Sequence, residues 1–317
     1  MKYRSINAVQ REFEYSRLIN ILQESYGLQN VSLQFLREGG SEVYLAETAD
    51  GKQYLLKVIG AAFAETARQS VDVMCYLQRR GFSVPQIIFT QKGQAFLETE
   101  IDNEVRLIVL QQYLAQGDEP EMLKSAHEIG ILTGQFHNLM EQYPARLTKQ
   151  NKQFFIGRYL DFLRRRQYPR LQEYTALGDG LWQKVCSQAQ INCHGDLHRG
   201  NFLQIPDGKI YLLDFDTVCH APAMFDVMVL CDMTNYFSLQ DDDIAETKAV
   251  YRQFLQGYRQ HRPLSQSEED SFYTWVAIRH FQLQATIVEI HGDDCISEQF
   301  IDRQLEWLYS WLRATES

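Results

Sequence analysis

Apolar residues change their spacing near Tyr113-Leu114, and that change divides the chain in two. Before it, short runs at residues 31–37 (V-S-L-Q-F-L-R), 42–48, 53–59, 86–91, 94–100 and 104–112 read as strands. Gly39-Gly40-Ser41, Ala49-Asp50-Gly51-Lys52, Lys92-Gly93 and Asp102-Asn103 punctuate them as turns. Two helical stretches interrupt this pattern, residues 9–26 closed by Gly27 and residues 62–80 closed by Gly81. After Leu114, residues 119–141, 153–174, 243–260, 266–290 and 297–313 carry apolar side chains three and four apart, the spacing of amphipathic helices. The expected fold is α+β in two lobes: residues 1–112, mostly antiparallel sheet with an inserted helix, and residues 113–317, mostly helical. A length of 317 residues suits two cores at roughly 100–200 residues each.

Charge narrows the partners. Asp and Glu total 41 against 31 Lys and Arg, a formal net charge of -10. Nucleic-acid backbones and anionic membranes select for the opposite sign, so neither is expected as a partner. The excess is compatible with a cationic small substrate, although solubility alone accounts for it. The six cysteines are scattered and form no C-x-x-C pair, which speaks against a disulfide framework and a zinc knuckle. No signal-type apolar stretch opens the sequence, and no uncharged apolar run reaches 18 residues. A soluble, cytoplasmic protein is expected.

Residues 191–232 interrupt the helical texture with two strand-like runs, Phe202–Ile205 and Ile210–Phe215, and a concentration of His, Asp and Asn. Within them Cys193–Phe215 reads C-H-G-D-L-H-R-G-N-F-L-Q-I-P-D-G-K-I-Y-L-L-D-F. Asp196 precedes Asn201 by five positions, and Asp214 ends the second run. Phosphoryl transfer from ATP needs a carboxylate to orient and deprotonate an acceptor hydroxyl. It also needs hard oxygen ligands to hold Mg²⁺ on the phosphates. An Asp and an Asn on one tight loop, with a second Asp on the next hairpin, supply those groups.

H-G-D-L-H-R-G-N-F followed by L-L-D-F-D resembles the catalytic-loop signature of the aminoglycoside phosphotransferase and choline kinase family, small-molecule kinases with a protein-kinase-like fold. The resemblance covers about residues 30–290. It implies that residues 1–112 form the nucleotide-binding lobe and residues 113–317 the catalytic and acceptor-binding lobe. Gly39, Gly40 and Ser41 stand where the family has its phosphate-covering loop, and Lys57, in L-L-K-V, where it places the lysine that binds the α- and β-phosphates. Adenine is expected against Gln111, Gln112 and Tyr113. Asn201 and Asp214 are implied Mg²⁺ ligands, Asp196 the catalytic base, and ATP the phosphate donor to a small-molecule hydroxyl acceptor. In I-G-I-L-T-G-Q-F-H, Gly130 and His137 are read as packing residues. Asp226 is expected to hold the catalytic loop by hydrogen bonds.

The chain departs from the family in two places. Ser70 stands where the lysine's carboxylate partner is expected; Asp72 and Glu65, seven residues apart, are the candidates, with Asp72 preferred. D-F-D replaces the D-F-G of protein kinases, and Asp216 is open to a second ion or to capping the following turn. A protein kinase is disfavoured. His194-Gly195 precedes Asp196 where a protein kinase has Arg, and only eleven positions run from Asp214 to Phe225. His194 and His198, four apart but beside Gly195 and Gly200, read as loop residues and not as a zinc pair. A catalytically weak, nucleotide-binding scaffold is the remaining alternative; the presence of Lys57, Asp196, Asn201 and Asp214 together weighs against it.

Overall fold

The computed structural model describes residues 8–38, 41–101, 104–114 and 117–315. They gather into two compact units. One comprises the chain up to Asp118 together with Leu203–Thr217; the other comprises Glu119–Phe202 and the chain from Val218 onward. No helix among the described residues is long and apolar enough to cross a membrane.

The first unit begins with α1 (Ala8–Tyr26), which ends where Gly27 takes a φ of 72°. Then come β1 (Ser32–Glu38), β2 (Ser41–Glu47), β3 (Gln53–Gly60), α2 (Ala64–Arg79), β4 (Leu97–Ile101) and β5 (Glu104–Gln112). The strands form one antiparallel sheet in the order β1-β2-β3-β5-β4. Alternation along the strands sorts their side chains. Tyr44, Ala46, Leu56, Val58, Ile108 and Leu110 form a core with Leu18, Leu22 and Tyr26 of α1. Each fully buried leucine in such a core contributes about 2 kcal/mol. Lys57 falls between Leu56 and Val58, and so projects from the opposite face.

One expected strand is absent. Residues 86–91 make only an isolated bridge, Ile87 with Gln111. Pro85 lacks an N–H for a ladder, and the N–H of Ile87 donates to the side-chain Oε1 of Gln78 at 3.0 Å.

The second unit contains α3 (Met122–Glu141), a wide π-type turn at Gln153–Gly157 leading into α4 (Arg158–Arg165), and α5 (Leu171–Val185). The single helix expected over 153–174 is therefore broken: Gln167 has a φ of 53°, and Pro169 disfavours a helical Tyr168 before it. Then follow in the chain β6 (Gln190–Cys193), β7 (Phe202–Gln204) and β8 (Ile210–Leu212), these last two belonging from Leu203 onward to the first unit, and β9 (Cys219–Pro222). β7 and β8 form the expected hairpin, whereas the antiparallel pair β6 and β9 was not foreseen. Four-residue strands carry too little periodicity to be read from sequence. α6 (Ala223–Cys231), α7 (Asp241–Tyr258), α8 (Gln266–Asp270), α9 (Phe272–His291) and α10 (Glu298–Thr315) complete the unit. The Asp241-Asp242-Asp243 run forms the first turn of α7, and Asp243 completes a capping box with Gln240. α9 runs through the core, with Trp275 and Phe281 fully buried among Phe155, Tyr159, Tyr174 and Phe225.

Candidate active site

The loop His194–His198 leaves β6, and α6 leaves β9, its antiparallel partner; this pairing sets Asp226, in the first turn of α6, beneath the loop. The Asp226 carboxylate accepts the backbone N–H of His194 at 2.7 Å and of Gly195 at 2.9 Å. Gly195 has a φ of 85°, a conformation that glycine adopts without a Cβ penalty. Nε2 of His137 lies 3.1 Å from the same carboxylate, and its Nδ1 lies 2.7 Å from the Tyr258 hydroxyl. Burial opposes ionisation of Asp226, yet the hydrogen bonds from His137 and the loop hold its carboxyl below the usual range. His137 and Asp226 are completely buried and serve as support, as expected.

Asp196 is thereby presented on a rigid turn. Its carbonyl accepts the His198 N–H at 2.9 Å and the Asn201 side-chain amide at 2.8 Å. The Nδ2 of Asn201 is thus committed, leaving Oδ1 as the atom with lone pairs for another partner. Nδ1 of His198 accepts the Gly200 N–H at 3.0 Å, which places the ring proton on Nε2, 3.6 Å from Asp196 Oδ2. The other carboxylate oxygen faces Arg279 of α9, whose guanidinium nitrogen is 3.6 Å from Oδ1. Arg279 was not anticipated. Its signal was a lone arginine inside an apolar helix, F-Y-T-W-V-A-I-R-H-F, but 83 positions separate it from Asp196. Beside the loop lies a recess of about 630 Å³ whose lining includes Glu119, His198, Arg199, Asp232, Thr234 and Glu246. Arg199 is paired with Glu119 at 2.8 Å. Burial raises the Asp232 carboxyl to about 6, against the hydrogen bonds it accepts from Thr234.

In the first unit Lys57, only 12% exposed, points its ammonium at Asp214 Oδ1 (3.9 Å) and Asp216 Oδ2 (3.7 Å). Asp214 adopts a φ of 58°, a left-handed backbone that is costly outside glycine. Its Oδ1 is buried with no hydrogen-bond donor among the described residues. Such an oxygen is costly to bury unless a cation takes it, and carboxylate and amide oxygens are what a hard divalent cation binds.

Asp72 is not the partner of Lys57. It is exposed, as is Glu65, which pairs with Arg68 at 3.4 Å. The buried stripe of α2 is Ala67-Ser70-Val71-Met74-Leu77. Two residues of helix turn the chain by about 200°, so a buried Ser70 puts Asp72 in solvent. Ser41 opens β2 opposite Ile59, while Gly39 and Gly40 lie outside the described residues. Gln111 and Gln112 end β5; Gln111 is buried opposite Leu55, and the N–H of Gln112 donates to Gln86 at 2.8 Å. Tyr113 follows as the first half-buried residue beyond the strand.

Comparison with known proteins places this geometry. An uncharacterized protein of Deinococcus radiodurans is 23% identical over 330 residues, covering 97% of this chain and 93% of that protein. Among solved structures, the amicoumacin kinase hAmiN in complex with AMP-PNP, Ca²⁺ and Ami superposes with a TM-score of 0.71. It is 18% identical, and the match covers 97% of this chain and 96% of that one. A microcompartment-associated aminopropanol kinase gives a TM-score of 0.63 at 17% identity, covering 95% and 96%. These likenesses establish a kinase-like, two-lobe α+β fold. The model of the phosphotransferase enzyme family (APH) matches residues 32–264, well over half of the sequence, and the chain belongs to that family.

Proposed function

We propose that this chain transfers the γ-phosphate of ATP to a hydroxyl of a small molecule of the aminoglycoside, amino alcohol, homoserine or sugar type, with Mg²⁺ as the metal. The observation that carries the reading is the Asp196 turn: a half-exposed carboxylate on a loop fastened from below by Asp226, with the Asn201 amide tied to its carbonyl. Asp196 orients the acceptor hydroxyl and accepts its proton. Because the transition state is loose, positioning and charge neutralisation contribute more than basicity. Lys57 neutralises phosphate oxygens, and Ser41 with Gly39 and Gly40 covers them. The backbone at Gln111, Gln112 and Tyr113 receives the adenine. Asn201 Oδ1 and Asp214 are the oxygens that hold Mg²⁺; the donorless Asp214 oxygen supports this fit. When bound, the ion neutralises the charge that develops on the transferred group. The recess beside His198 receives the acceptor. Its Glu246 carboxylate, which lacks the arginine that pairs with Glu119, favours an acceptor carrying an amine.

An ADP-release screen over amino alcohols, sugars and aminoglycosides, with a generic protein substrate alongside, tests the reading. Release is expected with one small-molecule class. Asp196→Asn is expected to lower kcat by about 10²–10⁴-fold while Mg·ATP binding is unchanged. Retention of most activity in Asp196→Asn, or release with the protein substrate alone, overturns the assignment. Mg·ATP binding without release to any acceptor favours the scaffold.

A further inference from the structure

We propose that Arg279 is a positioning residue for Asp196. The inference rests on the phosphotransfer reading above for its consequence and on geometry for its substance. Arg279 is the only Lys, Arg, Asp or Glu between Phe272 and Val288 of α9, and its side chain is 18% exposed. A charge is retained in so apolar a helix only where it is compensated. One guanidinium nitrogen donates to Gln282 Oε1 at 2.6 Å, one turn further along the same helix. The other faces Asp196 Oδ1 at 3.6 Å. The charge of Asp232, from the segment after α6, also acts on the guanidinium. Asp232 is itself held, its Oδ1 accepting the Thr234 N–H at 3.0 Å and the Thr234 hydroxyl at 2.7 Å. Burial lowers the Arg279 pKa from its usual range, and the two carboxylates favour its charged form.

The separation matters. At 3.6 Å the guanidinium acts on the carboxylate chiefly through its charge, and a carboxylate has lone pairs enough to accept a substrate hydroxyl as well. His198 Nε2 stands at the same distance from the other oxygen. The carboxylate is held between two cationic or polar edges, one borne by its own loop and one by a rigid helix. A loop turn alone leaves the side-chain torsions of Asp196 free; the helix-borne charge selects among them.

Full-length Arg279→Gln and Arg279→Lys test the assignment, with Asp232→Asn as a variant that leaves Arg279 in place. The ¹³C carboxyl resonance of Asp196, identified by its loss in Asp196→Asn, is expected to shift in Arg279→Gln. It is expected to return toward wild type in Arg279→Lys, and to shift in the same direction but less in Asp232→Asn. With the acceptor returned by the ADP-release screen, Arg279→Gln is expected to lower kcat by about 10²-fold with KM for Mg·ATP unchanged. Arg279→Lys should recover part of that loss, and Arg279→Gln should cost little more in an Asp196→Asn background. An unmoved resonance overturns the inference, as does an equal loss of kcat in both backgrounds. Absence of any acceptor turnover in the wild type instead overturns the phosphotransfer reading, and the resonance still decides whether Arg279 positions Asp196.

Discussion

His280 stands beside Arg279 and shows what burial does to a titrating group in this chain. Its ring stacks on Trp307 at 3.8 Å and Tyr236 at 4.9 Å, and Nδ1 bonds Gln304 at 2.8 Å. Burial lowers its pKa to about 4, outweighing the Gln304 bond. Between about 6.5 and 4 the unfolded chain therefore binds more protons at this site than the folded one, so stability falls as pH falls through that window. Asp232, raised to about 6, acts with the opposite sign there, so the effect is read as a difference between proteins. Comparing wild type with His280→Asn by urea unfolding at pH 7 and pH 4.5, the wild type is expected to lose up to roughly 3 kcal/mol more on acidification. Residues whose chemistry is local were legible in the sequence: Asp196 and Asn201 lie five positions apart on one turn. Partners brought by distant elements were not. The carboxylates facing Lys57 come from residues 214 and 216, and the charge facing Asp196 comes from residue 279.

Helices α3 and α7 cross at glycine. A Cβ on Gly130 would lie 2.2 Å from the Phe254 carbonyl oxygen, and one on Gly257 would lie 2.0 Å from that of His127. The same crossing brings Tyr258 of α7 to His137 of α3, and so supports the Asp226 carboxylate under the Asp196 loop. Gly130→Ala is expected to destabilise the protein by about 1–3 kcal/mol, measured by thermal or denaturant unfolding, since backbone must move to admit the methyl group. The packing role of Gly130 was expected from the family-like run I-G-I-L-T-G-Q-F-H, and the crossing shows the backbone it packs against. The break between α4 and α5 was also written there, in Pro169, but continuous apolar periodicity from 153 to 174 obscured it. β6 and β9 left no such trace, because a two-stranded pair of four residues each is specified by its partner and not by its own pattern.

For the molecule as a whole, saturating Mg·ATP is expected to raise the unfolding temperature, corresponding to about 2.7 kcal/mol at a hundredfold excess over Kd. EDTA should reverse the metal-dependent part, and Asp214→Asn should abolish it, as followed by differential scanning fluorimetry. By itself the sequence determined the long elements, the strands β1 to β3 and β5 and the helices α3, α7, α9 and α10, because periods of two and of three to four are local properties of the chain. It determined the close spacing of Asp196 and Asn201 for the same reason, since five positions on a short loop leave the backbone few alternatives. Tertiary structure decided which charges face one another. The turn of α2 sends Asp72 into solvent, the hairpin carries Asp214 and Asp216 to Lys57, and α9 sets Arg279 against Asp196. Coulomb interactions depend on distance in space and not on separation along the chain, so these pairings exist only once the packing of apolar faces has brought the elements together.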